Sequence, residues 1–198
     1  MQRIEELINT LTKDELQTLN KSILNYVQLI ASYYVTKSDY VIDMTVGNGH
    51  DTLFLGKIAK KVFGFDIQQE AIHNTTKLLT EEGITNYQLF LESHENVDLV
   101  LPQYKQQITL ILFNLGYLPR GDKTITTTAE TTLMAIKKSL IMLNNKGIIL
   151  VVFYPHEEGV KEATVVKNYL LQENINYQIY RNTDNINAPY LLVIDSSC

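Results

Sequence analysis

Three short segments hold residues whose types and spacing could do chemistry. The first is Asp43-Met44-Thr45-Val46-Gly47-Asn48-Gly49-His50-Asp51-Thr52, where Gly47 and Gly49 permit an approach to the backbone that a Cβ would obstruct. A dinucleotide loop reads Gly-x-Gly-x-x-Gly, and Thr52 stands where its last glycine belongs. Asp43, ahead of the glycines, can orient the loop and meet an ammonium group directly or through water, whereas it would repel a pyrophosphate. The second segment is Phe65-Asp66-Ile67-Gln68. An acid about 20 residues beyond a glycine loop, at a strand end, accepts hydrogen bonds from both ribose hydroxyls. Ile67 would cover one adenine face. Singly, either acid could be a turn or helix cap; together they describe a ligand with an ammonium, a ribose and an adenine. That is S-adenosyl-L-methionine rather than NAD. Thr45, Asn48, His50, Asp51, Thr52 and Gln68 fall in the same loops, and Ser93-His94 is a further candidate for adenine contact or a helix start.

The third segment is Asn114-Leu115-Gly116-Tyr117-Leu118-Pro119-Arg120-Gly121-Asp122-Lys123. Enzymes that methylate amines often carry Asn-Pro-Pro-Tyr here, the asparagine carbonyl and a backbone carbonyl holding the target nitrogen. Asn114 and Tyr117 keep the first and fourth positions of that pattern. Methyl transfer needs a neutral amine aligned with an activated methyl group and shielded from water, and no covalent nucleophile. Asn114 is the candidate for orienting the amine, which also borders the cofactor, Tyr117 for packing, and His156 for substrate contact or proton acceptance. Gly116, Leu118, Tyr154 and His156 are assigned to the substrate, with Arg120 and Lys123 as candidates for phosphates and Arg181 a weaker one.

These segments need a scaffold that presents loops at strand ends. Strands are expected at 40–44, 61–65, 87–91, 108–113, 147–154, 177–181 and 190–194, with helices at 51–60, 69–82, 129–143 and 157–172. Such alternation predicts an α/β, Rossmann-like sheet of seven mostly parallel strands, helices on both faces and a C-terminal antiparallel hairpin. Residues 4 to 35 repeat apolar side chains at helical spacing with a break near Thr12, which predicts two amphipathic helices. They could cap the sheet or pair two subunits as a homodimer. A length of 198 residues and 45% hydrophobic content suit one domain over 1–198, with 1–35 as its helical extension.

Composition narrows the function. A formal charge of −5 argues against broad nucleic-acid binding through many phosphate contacts, though not against a local basic rim. A single cysteine, Cys198, and four histidines make no metal-ligand pattern. The first residues carry acids before any apolar run, and no run approaches the roughly 20 residues of a membrane span, so a cytoplasmic protein is expected.

The glycine-loop segment, Asn114-Leu-Gly-Tyr-Leu-Pro-Arg-Gly-Asp-Lys123 and Tyr154-Pro-His156-Glu-Glu-Gly159 resemble the YtqB-like family, also called MnmM and labelled as rRNA methylases. The resemblance implies a class I methyltransferase that converts 5-aminomethyl-uridine, commonly 2-thiolated, at tRNA wobble position 34 into its 5-methylaminomethyl form. It implies a tRNA anticodon stem-loop as partner. The chain departs from the family at Pro155, usually glycine, and at Ala188-Pro189, usually a double proline. Other acceptors (an rRNA base, a small-molecule amine) and a non-catalytic binding module remain alternatives, the last disfavoured by the intact Asn114 to Tyr117 element.

Overall fold

The computed structural model describes residues 2–116 and 127–195, residues 2 and 3 by backbone alone. Seven strands, β1 (Tyr40–Asp43), β2 (Lys61–Asp66), β3 (Tyr87–Leu91), β4 (Ile108–Asn114), β5 (Leu143–Phe153), β6 (Tyr177–Tyr180) and β7 (Tyr190–Asp195), form one sheet in the order β3-β2-β1-β4-β5-β7-β6. Pairing is parallel from β3 to β5, and β7 runs antiparallel to both β5 and β6. The connection between β6 and β7 is too short for a crossover helix, which leaves the antiparallel return. The expected sheet and terminal hairpin are therefore what forms.

β4 and β5 read as nearly unbroken apolar runs because helices cover both faces of the sheet. With a side-chain period of two, Leu110, Leu112, Ile148, Leu150 and Val152 enter one core, and Ile111, Phe113, Ile149, Val151 and Phe153 enter the other. The first core is closed by α1 (Gln2–Asn9), α2 (Lys13–Leu19), α3 (Ile23–Tyr34) and α4 (His50–Ile58), through Ile4, Leu19, Val27, Ile30 and Leu55. After α5 (Gln69–Glu81), the second core is closed by α6 (Val97–Val100), α7 (Ala129–Met142) and α8 (Glu157–Gln172), through Val97, Ile136, Val166 and Leu170.

The N-terminal segment forms three helices, where two were expected. Thr12 starts α2 with a capping box shared with Glu15, as its position suggested. A second break follows because the Ser22 side chain accepts the Leu24 N–H and caps α3. The apolar spacing breaks at Thr12 but runs on past Ser22 through Leu19, Ile23 and Val27, so periodicity alone did not reveal the second cap. α3 packs against β4, β5 and β7, which makes this segment a cover for the sheet.

Strand order reverses at β1 and β4: the chain proceeds outward through β2 and β3 on one side and through β5 on the other. Loops leaving the carboxyl ends of β1 and β4 diverge and open a crevice between them, where doubly wound sheets hold ligands. Among the described residues no helix is long and apolar enough to cross a membrane.

Candidate active site

A cavity of about 600 Å³ occupies this crevice. Its floor is the loop after β1, with Thr45, Gly47, Asn48 and Gly49, followed by His50 and Asp51 in the first turn of α4. One side is made by Asp66, Ile67 and Gln68 beyond β2 and by Glu92, Ser93 and His94 beyond β3. The other is made by Asn114, Leu115 and Gly116 at the end of β4, Tyr154 and His156 beyond β5, and Thr127, Thr128 and Thr131 before and within α7. Leu24 reaches the cavity from α3. Tyr117, Leu118, Arg120 and Lys123 lie outside the described residues.

Two carboxylates hold the loop. Asp66 Oδ2 accepts the Gly47 N–H at 2.9 Å and Oδ1 accepts the Gln68 N–H at 2.9 Å, tying the two strand-end loops together. The Ile67 N–H is a third backbone donor to this carboxylate, which keeps one acceptor site for a donor in the cavity. Asp43 is wholly buried: Oδ1 accepts the Thr45 N–H at 3.1 Å and Oδ2 accepts the Thr52 hydroxyl at 2.6 Å. Neither Asp43 nor Thr52 is among the cavity-lining residues, so the contact Asp43 makes in this structure is with the loop. The acid at the cavity wall beside it is Asp51.

Burial, and then the neighbouring charge of Asp51, push the Asp43 carboxyl up to about 7 against the hydrogen bonds from Thr52 and Thr45. The folded value lies above the unfolded one, so between them the native protein keeps a proton that the unfolded chain has released. Stability therefore falls as pH rises from about 4 to about 7 and levels off above. Asp43→Asn keeps an acceptor for Thr45 and removes this titration. Between about pH 5 and about pH 8 the variant should gain on the order of 2 kcal/mol relative to wild type. Urea titrations that gave parallel stability curves for the two proteins would refute an uncharged Asp43 in the native state at acidic pH.

Asn114 is held at three points. Its N–H donates to Thr45 Oγ1 at 2.8 Å, its Nδ2 donates to Asp51 Oδ2 at 2.8 Å, and its Oδ1 accepts the Tyr154 hydroxyl at 2.9 Å. A carboxylate only accepts, so Asp51 fixes which way the amide faces, and the remaining oxygen then requires Tyr154 as donor. Burial raises the Asp51 carboxyl, countered by the Asn114 hydrogen bond. Burial, and then the Asp51 charge, also raise the Tyr154 phenol, which keeps it a donor at neutral pH. One lone pair on the Asn114 oxygen stays open to an amine N–H.

Two of the three cavity histidines, His94 and His156, hold opposite tautomers. His94 Nδ1 lies 3.2 Å from the Met44 carbonyl, which can only accept, so the proton is on Nδ1 and Nε2 carries a lone pair. That Nε2 is buried and has no partner among the described residues. Burial lowers the His94 pKa and keeps the ring neutral. His156 Nδ1 accepts the Gly159 N–H at 3.0 Å and caps α8, so the ring proton is on Nε2, which can act as a donor. The turn depends on Gly159, where a Cβ would collide with the Tyr154 carbonyl oxygen.

The family model described as "Putative rRNA methylase" matches residues 62–195. The chain belongs to this family. A solved structure described as a "putative rRNA-methylase" from Clostridium thermocellum is 37% identical, with a TM-score of 0.79 over 88% of this chain and 97% of that one. SMU.1697c, "a putative methyltransferase" from Streptococcus mutans solved in complex with S-adenosylhomocysteine (SAH), is 34% identical, with a TM-score of 0.78 over 88% and 98%. The curated Arabidopsis thaliana "tRNA (mnm(5)s(2)U34)-methyltransferase, chloroplastic" is 33% identical over 162 residues, 75% of this chain. The chain spans 59% of the length of that relative.

The fold of this rRNA methylase family member is the Rossmann-like class I methyltransferase fold, and its cofactor is S-adenosylmethionine. The residues present fit that group. The orphaned His94 Nε2 is an acceptor suited to an exocyclic amine, and Ile67, 57% exposed on the adjoining wall, offers apolar surface to a base. Asp66 could take the ribose, Ser93 could border the adenine, and Asp51 and the Asn48 to His50 turn could face the methionine end. Acids on the wall (Asp51, Asp66, Glu92) favour a cationic ligand over a pyrophosphate. Among the described residues no His, Cys, Asp or Glu group could hold a metal ion.

Sequence reasoning missed Leu24, Glu92 and the Thr127, Thr128 and Thr131 side chains. Glu92 had a signal, an acid just past β3. Leu24 had none, since only tertiary packing brings α3 to the crevice.

Proposed function

We propose that this chain is an S-adenosylmethionine-dependent methyltransferase that N-methylates the 5-aminomethyl group of uridine, commonly 2-thiolated, at wobble position 34 of tRNA. The product is 5-methylaminomethyl-(2-thio)uridine. The observation that carries this reading is the Asn114 amide, fixed between Asp51 and Tyr154 in the wall of the cofactor cavity. It offers an oriented acceptor for an amine and no nucleophile of its own. The name of the Arabidopsis thaliana relative supports the acceptor.

S-adenosylmethionine supplies, when bound, an electrophilic methyl group. The protein's task is to align and protect. The open lone pair of Asn114 would accept one amine N–H and so aim the nitrogen lone pair. Asp51 holds that amide in place, and its buried carboxylate would favour the cationic product. Met44, Val46 and Leu115 keep the neighbouring wall dry. His156 would donate from Nε2 to an acceptor on the substrate, and Tyr117 and Leu118 would pack against it, with Gly116 leaving room. Arg120 and Lys123 would meet phosphates of the anticodon stem-loop. The same reading takes 1–198 as one domain working in the cytoplasm, with a homodimer as its assembly.

The test is methyl transfer by the purified chain to tRNA carrying 5-aminomethyl-uridine, followed by mass spectrometry of the nucleosides. The expected result is 5-methylaminomethyl-uridine, formed only with S-adenosylmethionine. Equal transfer to rRNA fragments lacking that nucleoside would reject this acceptor.

A further inference from the structure

A second cavity, about 220 Å³, opens between α8 and the β6–β7 connection, and Tyr154 lies in the wall of both cavities. Topology places it there. β7 returns antiparallel to β5 with Tyr190 opposite Phe153, so the turn preceding Tyr190 reaches the edge where β5 ends and the candidate site begins.

The two cavities differ in charge. Asp51, Asp66 and Glu92 line the first, whereas no acidic residue lines the second, whose charged groups are Lys167 and Arg181. Both cations sit over one ring: the Arg181 guanidinium lies 4.5 Å from the Tyr190 centroid and Lys167 Nζ lies 5.8 Å from it. Among the described residues neither has a carboxylate at ion-pairing distance, while Lys57, Lys77, Lys138 and Lys161 all do. In a chain of net charge −5, two like charges converging without a counter-ion repel each other, and a bound anion would relieve that. Val160 and Ile186, 56% and 78% exposed, add apolar surface at the rim.

We propose that this second cavity is a subsite for the nucleotide flanking the methylated one in a single-stranded RNA loop. Arg181 and Lys167 hold its phosphates, and Val160 and Ile186 pack against its base. Recognition of RNA loops by a few cations and packed bases needs no overall positive charge. An acidic reaction cavity beside a cationic phosphate site sorts the two ends of such a substrate, the amine to one and the backbone to the other. The inference rests on an RNA acceptor as proposed above.

The experiment measures binding of a fluorescent heptauridylate to the full chain by anisotropy across a salt series. Wild type is compared with Lys167→Ala/Arg181→Ala and with Arg181→Lys. The double variant should bind about tenfold or more weakly at low salt. Its slope of log Kd against log salt should flatten by about 0.7 for each phosphate no longer neutralised. Arg181→Lys should retain most of the affinity, and calorimetric S-adenosylmethionine affinity should be unchanged in all three proteins, which also controls for folding. A double variant with wild-type affinity and slope would overturn the subsite, as would a wild type that binds no oligonucleotide. Methyl transfer to tRNA is measured alongside: oligonucleotide binding that disappears in the double variant, with no transfer by wild type, would reject the acceptor and leave the subsite standing.

Discussion

Asn114→Ala is expected to slow single-turnover methyl transfer by about 100-fold or more, the scale on which misalignment of reacting atoms acts. S-adenosylmethionine affinity should change far less. The substitution removes the open carbonyl lone pair that would aim the amine, and it also releases both neighbours. Asp51 loses the donor that counters its burial, so its carboxyl moves further up toward the neutral form. Tyr154 loses the acceptor that orients its ring. Because these interactions matter only when the amine and methyl group are in line, the loss falls on the rate and not on binding. Tyr154→Phe keeps the ring and removes one hydrogen bond, so its rate should lie between wild type and Asn114→Ala. A near-wild-type rate for Asn114→Ala would show that the amide aligns nothing.

The second large effect is expected from Gly49→Ala. Gly49 has φ of +83°, and a Cβ there would stand 2.6 Å from Thr75 Oγ1, 2.8 Å from Cγ2 and 3.0 Å from the Thr75 backbone Cα. The left-handed conformation costs an alanine about 1 to 2 kcal/mol, and the forced contact costs about 1 to 3 kcal/mol more. Thr75 also anchors the loop by donating to the Gly47 carbonyl at 3.1 Å, so its displacement moves the backbone that faces the cofactor. Stability in urea should fall by about 2 to 5 kcal/mol, and calorimetric S-adenosylmethionine affinity should drop with it. Unchanged stability would mean that α5 and the loop can separate at no cost, contrary to their close packing.

The strand-end loops were legible because their chemistry is local. Gly47 and Gly49 mark a turn that needs room and unusual backbone angles, and Asp66 sits at the end of an apolar run that can only be a strand. Asn114 was legible for the same reason, at the end of β4. The Ser22 break was not, since a serine between apolar residues at helical spacing is equally compatible with one continuous helix. Nor was the orientation of Asp43 toward Thr52, or the proton on His156 Nε2. Each of these is set by a partner that packing selects.

By itself the sequence determined the order of elements, the doubly wound class, the antiparallel hairpin and the residues at the carboxyl ends of β1, β2 and β4. All follow from short-range periodicity, turn chemistry and chain length, which act between residues close in sequence. Tertiary structure alone decided that α3 reaches the crevice with Leu24, that Asp51 rather than Asp43 lines it, and that Asn114 lies locked between Asp51 and Tyr154. It also decided that Lys167 and Arg181 converge on Tyr190. These interactions join residues far apart in the chain, and burial fixes their geometry: a polar group removed from water must take the partner that folding brings within reach.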